Sequence, residues 1–166
     1  MLKRNPESTK TISRPEVTVT QPKSEPAKAQ PTPSTGVGGS SLDNMVSACA
    51  TELMNARTSI HKLHLKVTGE GSFAAHTALN ELYDALPGHA DTLIEGYQGA
   101  AEKILSYSEV APRILDTVAD GVSYLRDIYA MVNKLQGMLP YSEIVNNLDL
   151  VKDSINSTKY KLLFLK

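Results

Sequence analysis

The sequence predicts an all-α protein: a four-helix bundle preceded by a disordered N-terminal tail. Three observations carry that prediction. From Gly39 onward, apolar residues recur at three- and four-residue steps in four long stretches, the pattern of one helix face. No run alternates as a strand would. Six of the nine prolines fall within residues 1–41, which hold almost no large apolar side chains; such a segment cannot bury enough surface to offset its ordering entropy. Four amphipathic helices of this length point to one bundle, and 166 residues suit a single folded domain. The expected division is a Pro/Ser/Lys-containing tail over 1–41 and the bundle over 42–166.

Each helix has its own signals. Ser40-Ser41-Leu42-Asp43 offers capping side chains for the first. Met45, Cys49, Leu53, Ala56, Ile60, Leu63 and Val67 then form its apolar face, and Gly69 and Gly71 end it. The second helix starts near Ser72, with Leu79, Leu82, Leu86, Leu93 and Tyr97 turned inward. Pro87-Gly88 interrupts it, but the apolar phase resumes correctly, which predicts a continuous helix. A long connection follows over roughly 99–112, with one helical piece expected around Ala101–Tyr107. The third helix is expected from about Arg113 through Leu139, where Pro140 stops it. The fourth is expected from a Ser142 cap and carries Ile144, Leu148, Val151, Ile155 and Leu162.

The whole-chain charge of −1 hides an asymmetry. In the tail Lys3, Arg4, Lys10, Arg14, Lys23 and Lys28 outnumber three glutamates, leaving net +3, whereas the rest of the chain carries net −4. A basic extension of this kind can neutralise phosphates, so these six residues are the candidate DNA contacts. A plain linker, or an arm that docks the bundle on another protein, fits the same residues. The single cysteine, Cys49, lies on an apolar face and reads as a small buried hydrophobe. No signal-peptide pattern and no membrane-length apolar run is present. The expectation is a soluble protein without a membrane partner, kept in the compartment where it is made or packaged from there.

His64, His76, Asp91 and Glu95 carry the chemistry. Two imidazoles and two carboxylates suit iron or a similar transition ion, and zinc is not excluded by the same set. His76 and Asp91 are 15 residues apart on one expected helix, roughly 22 Å at 1.5 Å per residue. They cannot hold one ion within one chain. If they share a metal, a second copy must supply one half. Asp91 and Glu95, four apart, share a helix face; a solvated acidic face is the alternative reading of that pair.

These residues resemble a family. The segment His64-Leu-Lys-Val-Thr-Gly-Glu-Gly-Ser-Phe, then His76, Asp91 and Glu95, is similar to the ferroxidase signature of the Dps miniferritins. That signature has a His before a Val-x-Gly turn and Phe, a second His 12 residues later, an Asp 15 further on and a Glu 4 beyond. The likeness covers about 56–96 closely, and the other helices by architecture alone. His61 and His89 also stand where many members have His. The closing Tyr160-Lys-Leu-Leu-Phe-Leu165 run is similar to closing helices of miniferritin-like proteins from tailed bacteriophages. The resemblance implies a ferritin-like bundle and a homo-oligomer, a dodecamer built from twofold dimers. It implies inter-subunit sites that oxidise ferrous iron, with the His half from one chain and the Asp/Glu half from its mate. It also implies DNA binding through a basic tail, and a bacterial cytoplasm or, for a phage-encoded relative, a virion as its location.

Three positions depart from the family. Asn80 stands where an Asp is usual, offering a carbonyl oxygen but no charge. Leu65 replaces an aromatic, and Gly96 replaces an Arg. The expected ligands are therefore His64, His76, Asp91 and Glu95, with Asn80 a weak one, and Asp84 an outer carboxylate. Two further function classes stay open: a non-enzymatic DNA-binding or virion-associated bundle with a degraded site, and a bundle holding a structural ion such as zinc.

Overall fold

A computed structural model describes residues 40–165. Residues 1–39 of the expected tail, with its six basic residues, lie outside the described residues. Four helices follow in order: α1 over Ser41–His64, α2 over Ser72–Ala101, α3 over Val118–Gln136 and α4 over Ser142–Phe164. Among the described residues there is no strand. Nor is any helix among them long and apolar enough to cross a membrane.

Ser40 caps α1 through a capping box. Its hydroxyl accepts from the Asp43 amide, and the Asp43 carboxylate accepts from the Ser40 amide at 2.9 Å. The helical unit thus begins about two residues before the expected 41/42 boundary. The turn between α1 and α2 needs left-handed backbone at Gly69 (φ 86°) and Gly71 (φ 75°), which glycine adopts without a Cβ penalty. α2 runs unbroken through Pro87, as the resumed apolar phase predicted.

The helices close a ring in which α1 packs on α2 and α3, and α4 packs on both α2 and α3. Leu53, Ile60, Leu79, Leu86, Leu125, Ile128, Leu148 and Ile155 fill its centre. Cys49 is buried among them, and burial pushes its thiol up to about 12. It is an inert core residue. Gly121 lets α3 come close to α1: a Cβ there would stand 2.6 Å from Leu63 Cδ2.

Two expectations about the chain after α2 need correction. No helical piece forms around Ala101–Tyr107, because Glu102 enters the left-handed region (φ 51°) and ends α2. The helix expected from Arg113 starts only at Val118, where Thr117 and Asp120 form a second capping box. Between them, residues 102–117 run as an irregular strap along α1. Ser47 Oγ donates to the Ser106 carbonyl at 2.5 Å, Asn55 Nδ2 to the Val110 carbonyl at 2.8 Å, and Lys66 Nζ to the Leu115 carbonyl at 3.0 Å. Leu105 and Leu115 are buried from this strap. The strap returns the chain to the far end of α1, so α3 runs parallel to α2. One cap also differs: α4 begins from Tyr141, and Ser142 is its first helical residue.

Candidate metal centre

The end of α1 and the start of α2 bring His64 and His76 face to face across the glycine turn. Their Nε2 atoms lie 2.8 Å apart, and the ring centroids 3.6 Å. His76 Nδ1 is 3.3 Å from the His64 carbonyl oxygen. That bond places the His76 proton on Nδ1 and leaves Nε2 with a free lone pair, the tautomer a metal needs. His64 Nε2–H then donates to His76 in the pair as it stands. Burial, and next the His76 and His61 rings, hold the His64 pKa below its ordinary value, while the charge of Asp84 acts the other way.

The donors fit one cation between two nitrogens. Accepting it would move the His64 proton to Nδ1, which is buried without a hydrogen-bond partner. An unpaired N–H of that kind costs about 1–3 kcal/mol, so the pair alone is a weak chelate and needs anionic help.

Asn80 lies one turn along α2 from His76, and its oxygen is engaged. The Tyr83 hydroxyl donates to Asn80 Oδ1 at 2.6 Å, and Asn80 Nδ2 donates to Asp84 Oδ2 at 3.1 Å. The Tyr83 ring stacks on His61 at 4.2 Å between centroids and lies 5.3 Å from that of His64. Tyr83 is thus part of this site, although it is absent from the expected ligand set. The signal was available in the spacing: seven residues after His76 is two helical turns, hence the same face.

Asp91 and Glu95 lie elsewhere. Both are exposed on the second half of α2. Because α2 is continuous, the separation of roughly 22 Å from His76 holds. Among the described residues neither carboxylate has a hydrogen bond or an ion pair. His89 does not join them; its Nε2 lies 3.2 Å from Ser154 Oγ on α4, and burial lowers its pKa. Gly96, half-buried, faces Ile144 of α4, whose Cγ1 a Cβ would meet at 3.7 Å. Among the described residues no three His, Cys, Asp or Glu side chains are grouped to hold one ion. The five expected ligands therefore fall into two halves, His64 and His76 beside Asn80, and Asp91 with Glu95.

The end of α2 beyond the acidic half is anchored. Asp43 accepts from the Tyr97 hydroxyl at 2.6 Å and pairs with Lys103 at 2.6 Å. Lys103 and then Tyr97 hold its carboxyl well below the usual carboxylate range.

A family model described as "Family of unknown function (DUF5856)" matches residues 64–162. The match opens on His64 and contains both halves of the candidate centre. No curated protein matches the chain.

Proposed function

The chain belongs to the DUF5856 family of unknown function, and we propose that it is a miniferritin-like protein. In this reading it binds ferrous iron at sites shared between two copies, oxidises it there as a ferroxidase and stores the product inside a hollow oligomer. One observation carries the reading: His64 and His76 converge to 2.8 Å, whereas the bare carboxylates of Asp91 and Glu95 lie on the same rigid helix, too far away to help. Each half is incomplete. A twofold pair of chains, running α2 against α2, would supply each with the other.

Two further features support it. Leu65 and Phe73 flank the His pair and are 72% and 83% exposed, an apolar rim for a second copy to cover. Asp91 and Glu95 repel each other across one turn with no cation paired to them among the described residues, and an ion from the facing chain would relieve that repulsion. Iron is the substrate of this chemistry, and zinc would occupy the same donors without being oxidised. DNA binding through Lys3, Arg4, Lys10, Arg14, Lys23 and Lys28 is part of the proposal, carried by their charge alone.

A second reading has its own observation. Asn80 Oδ1 already accepts from Tyr83, and no charge stands at position 80. A bundle of this kind that had lost metal chemistry would serve as a DNA-binding or virion-associated structural protein. Native mass and metal content after aerobic addition of ferrous iron separate the two readings. An even-numbered assembly, twelve chains on the miniferritin pattern, that takes up iron supports the first. A monomer, or an assembly that leaves the iron in solution, overturns it.

A further inference from the structure

The acidic charge absent at position 80 is present one helical turn further on. We propose that Asp84 is the charge-compensating and positioning residue of the His64–His76 half, acting through Asn80 on a divalent cation held there. This rests on the half-site reading above.

Positions 80 and 84 are neighbours on the helix surface, spaced as residues four apart are. Two hydrogen bonds fix the Asn80 amide between them. Its nitrogen is tied to the Asp84 carboxylate at 3.1 Å and its oxygen to the Tyr83 hydroxyl at 2.6 Å. The oxygen is thereby held on the side of Tyr83, whose ring is packed against His61 and His64. Tyr83 uses one lone pair of that oxygen and leaves the other. A carboxylate bonded to the amide nitrogen polarises the group and builds negative charge on its oxygen. Asn80 thus presents a carbonyl with borrowed anionic character.

Asp84 itself is exposed, and among the described residues it has no cationic partner. Its charge is uncommitted and near the His pair. Partners that orient a ligand from behind in this way commonly change metal affinity by about 10- to 100-fold. Position 84 therefore takes over the charge that an Asp at 80 would have carried, at the cost of one intervening amide.

The test is anaerobic titration with cobalt(II), a redox-quiet stand-in for ferrous iron, on the full-length protein. Asp84→Asn should weaken binding about tenfold with mass and helicity unchanged. The swap Asn80→Asp/Asp84→Asn should return affinity to within about threefold of the parent, because the charge is restored next to the nitrogens. Asn80→Asp alone should gain less than the same change gains beside Asp84→Asn, the non-additivity expected of coupled sites. Parent-like binding by Asp84→Asn overturns the proposal, and so does a swap that stays weak. Failure of the parent to bind cobalt(II) any better than His76→Ala removes the half-site reading itself, and this proposal with it.

Discussion

The two ends of α2 are built differently. At its start, His76 is held by the His64 carbonyl and met by the His64 ring, on which Tyr83 packs, and Tyr83 is bonded in turn to Asn80 and Asn80 to Asp84. Two helices and a turn converge there. At its far half, Asp91 and Glu95 stand on one helix face with no hydrogen bond or ion pair among the described residues. The first is preorganised: its geometry is paid for by folding, and a ligand need order little. The second is only charge at a fixed spacing. An assembled site would draw its precision from the histidine half and most of its attraction for a cation from the acidic half.

That contrast can be broken most directly by mixing. His76→Ala and Asp91→Ala should each lose iron binding by at least about 100-fold if every site needs both halves. Reassembled together, a twofold arrangement regenerates one intact site per mixed pair, or about a quarter of all sites. Iron bound per chain in the mixture measures this. No recovery after verified subunit exchange would mean that the halves never meet.

The anchor beyond the acidic half sharpens the comparison through stability. Asp43→Ala removes one of the two bonds of the α1 capping box, strands the Tyr97 hydroxyl and breaks the Lys103 ion pair, which should cost about 2–4 kcal/mol in chemical denaturation. The pH dependence has a definite sign. The folded pKa of Asp43 lies below its ordinary 3.8, so its contribution is complete above that value. It is lost as pH falls from there toward the folded pKa. The stability gap between the parent and Asp43→Ala should therefore narrow on moving from about pH 7 to about pH 3. A gap independent of pH would assign the loss to packing alone.

A smaller effect is expected at the histidine half. Gly121→Ala puts a methyl 2.6 Å from Leu63 Cδ2, directly before His64. Overpacking of this kind costs about 1–3 kcal/mol. It should shift the His64 ring resonances in an NMR spectrum and leave those of the Asp91 and Glu95 carboxyls unmoved. Movement of both would mean that the halves are less independent than their geometry indicates.

The smallest effect on the fold is expected from deleting residues 1–39. They hold almost no large apolar side chains, so melting and assembly should be unchanged. Any DNA affinity should vanish, most visibly at low salt. A gel shift with the full and shortened chains decides this; equal affinity would place DNA binding on the acidic bundle instead.

The sequence was most informative where a local rule and the tertiary contacts agree. The α1 cap at Ser40, the left-handed glycines at 69 and 71 and the passage of α2 through Pro87 were legible, since each depends on neighbours in the chain. The pairing of His64 with His76 was legible because only a short turn separates their helices. The start of α3 was misread because Leu115 keeps the helical phase while being buried from a strap. The box Thr117-x-x-Asp120 was the better signal. Ser142 was misread because a capping residue type need not occupy the cap. The place of Tyr83 depends on rings brought in from α1, and the Asn80–Asp84 bond on a choice of rotamer. A periodicity carries neither.

The continuity of α2 also makes it a gauge. One extra residue between His76 and Asp91 would turn the acidic pair by about 100° and carry it about 1.5 Å along the axis. Four extra residues nearly restore the direction but lengthen the span by about 6 Å, so the two ends of a twofold pair would no longer come level. The strap at 102–117 sets no interval between the two halves, although its bonds to Ser47, Asn55 and Lys66 hold it along α1. Within this chain, α2 is the segment whose residue count is itself part of the site.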